Sequence, residues 1–356
     1  MRMNMEKTGY RIQAPDEKAM QDCRERWDAV AKPLNGLGRF ETLITRIAGI
    51  TGNADVRLDR RAVVVMCADN GIVAEGVTQT DQSVTAVVAQ NIAKEKGNIS
   101  RMAQTAHADV LAVDIGIAGD LPEGSGILSR RVSSGTENFA SAPAMTPEQV
   151  SAALQTGITL AGELREKGYR ILATGEMGIG NTTTGTAVAA ALLHMDSDGL
   201  TGRGAGLDVQ GLQRKKKVIR EALEKYDLQN ADPMKVLSCV GGLDICGMAG
   251  LFIGGALYHI PVAIDGCISA TAALAAERLA PGCSRYMIPS HCSREPVQNA
   301  VFAQLGLRAV IDADMALGEG TGAVMMFPLL DMVLAVYHST VTFAESSLEA
   351  YHSFSD

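Results

Sequence analysis

Long apolar runs, an excess of positive charge and closely spaced cysteine pairs are all missing from this chain, and each absence removes a class of function. The longest apolar stretch, residues 323–337, is interrupted by Pro328 and Asp331. It falls short of the roughly 20 residues that cross a bilayer, so no membrane partner is expected. No apolar run follows residues 1–7, so no secretory signal is expected. The 356 residues carry 32 Lys and Arg against 40 Asp and Glu, a net charge of −8. Nucleic-acid backbones need clustered cations, and the one basic run, 214–217, is too short to supply them. The seven cysteines include no Cys-x-x-Cys pair, which fits reduced thiols in the cytoplasm and not a disulfide or zinc framework.

What is present is a foldable composition, 47% apolar and 20% charged. Short apolar runs recur at 62–66, 110–113, 171–173, 236–240, 261–264 and 286–288, each ending in a Gly-rich or polar cluster. Helical segments lie between them. Val209, Leu212, Ile219, Leu223 and Tyr226 form an amphipathic stripe, whereas 183–194 and 269–280 are apolar nearly all round. Wholly apolar strands alternating with helices predict an α/β fold: a doubly wound, Rossmann-like, mainly parallel six-stranded sheet. In such a sheet the polar clusters converge at the carboxyl ends of the strands, where ligands bind. Residues 16–31, 39–49 and 322–337 read as helices. The expected organisation is a large α/β domain over 62–327 and a small helical domain built from both termini, 1–61 plus 328–356. Residues 120–143 read as a long surface loop.

The stretch Gly175-Glu176-Met177-Gly178-Ile179-Gly180-Asn181-Thr182-Thr183-Thr184 is the most informative. It follows a strand and opens a helix, with glycines for close approach and hydroxyls beside freed N–H groups, which suits a phosphate. A plain helix cap needs one polar residue, not four. No Gly-Lys-Ser/Thr follows, so this is not a Walker loop, and the dinucleotide Gly-x-Gly-x-x-Gly spacing is absent. In Leu317-Gly318-Glu319-Gly320-Thr321-Gly322, one carboxylate stands among glycines before an apolar helix. It reads equally as a general base or as a partner of the helix dipole. Lys215, in a basic run, reads by default as solvated. His291 has no second ligand at metal spacing and reads as a hydrogen-bonded structural residue. Cys239, Cys246 and Cys267 sit in apolar context and read as inert. No metal and no cofactor are expected.

Taken together, several stretches resemble one family: Lys32-Pro33-x-x-Gly36-Leu37-Gly38-Arg39-Phe40-Glu41, Ala68-Asp69-Asn70-Gly71 with Glu75-Gly76-Val77, the 175–183 segment, Gly241-Gly242-Leu243-Asp244-Ile245, Asp265-Gly266, Pro289-Ser290-His291 and the 317–322 segment. The resemblance is to nicotinate-nucleotide–dimethylbenzimidazole phosphoribosyltransferases, enzymes of cobamide lower-ligand assembly, and it spans about residues 15–337. It implies transfer of the phosphoribosyl group of nicotinate mononucleotide to an aromatic base, giving an α-ribotide and nicotinate, usually in a homodimer. It implies that Glu319 is the general base, that Glu176 lies near the nucleotide and that the backbone from Gly178 through Gly180 to Asn181 holds the phosphate. It also places Lys215 in the phosphate region, against the solvated default. Asp265, Ser290, Leu317 and Gly318 fall in matching motifs and carry over as substrate-binding positions.

The departures from that pattern lie on the acceptor side. Thr80 and Asp81 stand where the family often has Ser and Pro, and Val88 where it often has Gln. Thr80 and Val88 are therefore expected to line the acceptor pocket, with Val88 unable to hydrogen-bond. Ala316 replaces a frequent Arg. Relatives that attach phenol or p-cresol through oxygen, some as pairs of unlike subunits, are an alternative, and a catalytically silent nucleotide-binding subunit is another. A pyrophosphate-donor phosphoribosyltransferase is disfavoured, because no adjacent pair of acids precedes Thr321-Gly322.

Overall fold

A computed structural model describes residues 9–351. Its helices are α1 (Glu17–Ala29), α2 (Arg39–Thr51), α3 (Ser83–Ala93), α4 (Asn98–Thr105), α5 (Pro147–Glu166), α6 (Asn181–Leu193), α7 (Ser197–Leu200), α8 (Val209–Lys225), α9 (Pro233–Val240), α10 (Leu243–Leu257), α11 (Cys267–Leu279), α12 (Val297–Leu305) and α13 (Thr321–Ser339). The strands are β1 (Arg61–Ala68), β2 (Asp109–Gly116), β3 (Leu128–Ser129), β4 (Ile171–Met177), β5 (Val262–Ile264), β6 (Met287–Pro289), β7 (His291–Ser293) and β8 (Ile311–Met315).

The first six strands form one sheet in the order β3-β2-β1-β4-β5-β6, and every neighbouring pair is parallel. β1 is buried along its whole length, which is why it reads as a continuous apolar run. The strand order reverses between β1 and β4. A crevice opens there, because consecutive crossovers leave on opposite faces. All six carboxyl ends point the same way, so residues far apart in sequence meet at that edge.

The membership of the sheet differs from expectation at one place. Residues 236–240 are not a strand but the end of α9, which starts on Asp232 as a side-chain cap with Pro233 at its first turn. A short buried apolar run has no period of its own, and here the upstream cap decides it. The sixth strand is instead the two-residue edge β3, inside the 120–143 loop. The α8 stripe is also rotated. Its buried residues are Gly211, Lys215, Val218, Ile219 and Ala222, whereas Val209 is 63% exposed.

The chain ends pack on each other. Trp27 and Tyr337 stand 4.7 Å apart, and Tyr337 donates to the Ala54 carbonyl. α1 stops at Ala29, before the Lys32-Pro33 signal, because Val30 turns extended to bridge Thr342. α13 passes through the expected boundary at 327/328 with Pro328 inside it. This helix is long and apolar enough to span a membrane, but 56% of its apolar window is buried, and it packs on α2, α4 and β4.

One ion pair ties α13 to the first strand. Arg61, 7% exposed, donates to both oxygens of Asp331 at 3.0 and 2.9 Å. Removing the carboxylate strands a buried guanidinium, whereas Asp331 itself is half in water. Asp331→Ala should therefore lower unfolding free energy by about 1–3 kcal/mol, read by urea titration. A change below about 0.5 kcal/mol would show that water replaces the carboxylate freely.

Candidate active site

At the end of β4 the chain turns through Gly178 and Gly180 into α6. Gly180 sits in the left-handed region, and no side chain caps the helix. Backbone carbonyls close this turn instead, Asn181 donating to Gly178 at 3.1 Å and Thr183 to Gly180 at 3.0 Å, so what faces the cavity is the positive end of the α6 dipole. Thr182, in this first turn, accepts a hydrogen bond from the Lys215 ammonium at 2.9 Å. Lys215 is wholly buried, and burial pulls its pKa down, with the nearby Glu295 opposing. Glu295 in turn accepts from the Gly204 backbone N–H at 3.1 Å, holding the 202–206 loop beside Thr182.

Four acids meet at the same edge. Glu319 is 7% exposed, and its carboxylate accepts from Asn98 Nδ2 at 2.9 Å and from the Ile99 backbone N–H at 3.1 Å. Those donors are the first turn of α4, whose own cap, Gly97, has no side chain to offer. Gly175 is what lets the Glu319 segment lie against β4, since a Cβ there would stand 2.5 Å from the Glu319 carbonyl oxygen. Asp265, buried after β5, accepts from the backbone N–H groups of Gly320, Gly322 and Ala323 at 3.1, 2.7 and 3.0 Å. Asn181 donates to both Glu176 and Asp244. Burial pushes the Glu176 carboxyl well above the usual range, helped by Asp244, Asp265 and Glu319. Burial also raises Asp265, against the pull of His291, and lowers His291, against the pull of Asp265.

Glu319, Asp265 and Glu176 border a cavity of about 300 Å³, with Asp244 buried behind Asn181. Val88, Met177, Ile268 and Leu317 give it an apolar side; Glu176, Asn181, Thr182, Asp265 and Glu319 give it a polar one. A larger cavity of about 760 Å³, around Trp27 and Arg46 of α1 and α2, holds none of these acids. Among the described residues, no group of three or more His, Cys, Asp or Glu side chains is arranged to hold a metal ion.

A family model described as "Phosphoribosyltransferase" matches residues 12–348. A nicotinate-nucleotide–dimethylbenzimidazole phosphoribosyltransferase from Ruminiclostridium cellulolyticum is 40% identical over 349 residues, covering 98% of this chain and 99% of that protein. The protein of the same name from Acetivibrio thermocellus is 42% identical over 335 residues, 94% of this chain and 95% of its own. A crystal structure of CobT from Thermus thermophilus superposes with a TM-score of 0.89 at 38% identity, over 94% of this chain and all of that one. The chain belongs to the nicotinate-nucleotide–dimethylbenzimidazole phosphoribosyltransferase family.

For this member of the phosphoribosyltransferase family, Glu319, Glu176, Gly178, Asn181, Asp265, Leu317, Gly318 and Val88 line the one cavity. Three further residues stand just behind its wall. Gly180 lies under the turn. Lys215 reaches only as far as Thr182 and Gly204. Ser290 is fully buried, donating to the Ile264 carbonyl and lying 3.1 Å from His291 Nδ1. Thr80 is not brought to the cavity. It lies exposed on the loop before α3, where its carbonyl accepts from Thr78 and the neighbouring Gln79 anchors to Gly206. The solvated default for Lys215 fails, because the lysine occupies the buried face of α8. Sequence reasoning missed Asn98 and Glu295. Nothing local marks either one, since their partners lie 221 and 91 residues away.

Asp244 gives the site a measurable pH signature. Burial moves its carboxyl from 3.8 to about 6. The unfolded chain therefore loses this proton near pH 4 and the folded chain near pH 6. Between those values the folded state binds more protons, so this group's contribution to stability falls as pH rises. Tm of Asp244→Asn minus Tm of the unaltered protein should accordingly increase from pH 4 to pH 7, whatever its constant offset. A flat or falling difference would contradict a raised Asp244 carboxyl.

Proposed function

We propose that the protein transfers the phosphoribosyl group of nicotinate mononucleotide to 5,6-dimethylbenzimidazole or a related aromatic base, forming an α-ribotide and releasing nicotinate. One observation carries this reading: the Glu319 carboxylate and the N-terminus of α6 border one cavity that has an apolar side. The donor's phosphate sits at the 178–182 turn, with the Lys215 charge behind Thr182. The acceptor ring lies against Val88, Met177 and Leu317. Cleavage of the C1′–N bond sends its electron pair to the pyridinium nitrogen, which becomes neutral. No pyrophosphate departs, so the chemistry has no need of a metal clamp. The ring nitrogen of the acceptor forms the new C1′–N bond from the opposite face, and Glu319 takes the N–H proton. Carboxyl oxygens of Glu176 and Glu319 in the cavity wall face the positively charged sugar. We take the enzyme to be a cytoplasmic homodimer, with pairing to a paralogue as the other assembly.

The test is incubation with nicotinate mononucleotide and a panel of dimethylbenzimidazole, benzimidazole, adenine, phenol and p-cresol, with products read by mass. Glu319→Gln should keep donor KM and lose about 10²–10⁴-fold in kcat. Near-normal kcat would sink the assignment.

Val88 favours a second acceptor class. It offers the acceptor no hydrogen bond, so discrimination between benzimidazoles and phenols should be weak. Val88→Gln should raise the dimethylbenzimidazole to p-cresol ratio of kcat/KM by about 5- to 100-fold, the worth of one polar contact at a buried atom. A strong preference for dimethylbenzimidazole in the unaltered enzyme, or a ratio that Gln leaves unmoved, would remove Val88 from acceptor choice.

A further inference from the structure

α13 begins immediately after Glu319 and carries no side-chain cap of its own, with Gly320 at the cap position. Asp265 supplies the cap from β5. Its Oδ2 accepts from the Gly320 N–H, and its Oδ1 accepts from Gly322 and Ala323. These three bonds grip the chain one, three and four residues beyond Glu319. They are charge-assisted and directed at a helix N-terminus, where a carboxylate is favoured. Both oxygens are occupied in this way, and Asp265 is 1% exposed.

Two features make that grip necessary. Glu319 has φ +60, a left-handed conformation that a residue with a side chain adopts only when its surroundings enforce it. The far side is also closed, because a Cβ on Gly322 would lie 1.8 Å from His291 Nδ1. His291 thus walls off the space into which the start of α13 would otherwise relax, while β4 approaches closely at Gly175. The remaining contacts of Glu319, to Asn98 and Ile99, come from α4 and are reached only if the backbone holds this bend.

We propose that Asp265 is the positioning residue for Glu319, holding the general base by capping α13 and not by binding substrate itself. The proposal rests on Glu319 acting as the base. An error of about 1 Å in such a group costs on the order of 10²-fold. The donor phosphate is held by a different segment, so the loss falls on kcat and leaves donor KM in place.

A double-mutant cycle tests this with the full-length enzyme, nicotinate mononucleotide and dimethylbenzimidazole. Asp265→Asn keeps the shape but loses one acceptor, and should lower kcat roughly 10- to 100-fold with donor KM within about threefold. In the Glu319→Gln background the same change should cost less than about threefold, because the group it positions is already gone. If Asp265→Asn costs the same factor in both backgrounds, Glu319 stands as the base and the positioning role falls. If Glu319→Gln alone keeps full activity, both readings fall. A rise in donor KM at unchanged kcat would make Asp265 a substrate ligand and overturn the proposal. Asp265→Ser, a smaller neutral acceptor, runs the same cycle if the Asn variant does not fold. Failure of both to fold would assign Asp265 to stability alone and overturn it equally.

Discussion

Carboxyl groups withdrawn from water and met by the N-termini of helices organise this molecule. Glu319 faces the first turn of α4, Asp265 the first turn of α13, and Asp244 its own first turn in α10, while Glu176 is met by Asn181 at the start of α6. A carboxylate taken out of water needs donors or a cation, and four together also repel. Backbone N–H groups at helix starts are the donors that cost no further charge. The acids can therefore sit together with Lys215 as a nearby buried ammonium, and the cost appears in the raised Glu176, Asp244 and Asp265 carboxyls.

The parallel sheet makes that arrangement reachable. Every strand delivers its carboxyl end to one edge, and the order reversal between β1 and β4 opens the crevice there. α6 enters that space directly from β4, while α4, α10 and α13 bring their N-termini to it from other parts of the chain. Close approach is possible because Gly175 lies under the Glu319 segment and Gly322 lies under His291. A methyl group at either would push the acids apart, so the glycine pattern is part of the site's electrostatics as much as of its shape.

Much of this was legible beforehand. The wholly apolar runs pointed to the parallel sheet, and the Gly-rich stretch after β4 pointed to a strand-to-helix turn, because both signals are local. The 236–240 run misled because a buried helix end and a buried strand look alike over five residues. The α8 stripe misled because Lys215 replaces an apolar residue on the buried face. The sequence leaves Glu319 open as either a base or a dipole partner of the helix that follows it. It does meet a helix dipole, that of α4, and it also lines the cavity.

Local spacing along the chain was enough to set most strands and helices, their parallel arrangement and the glycine-flanked acids at strand ends. Packing in three dimensions settled the rest: which helix each acid faces, that Thr80 stays outside the cavity while Val88 lines it, and that Asn98 and Asp265 hold the Glu319 segment from either side. Those contacts join residues 55 and 221 positions apart. Pairings at such separations depend on how the elements pack, and no local pattern along the chain encodes them.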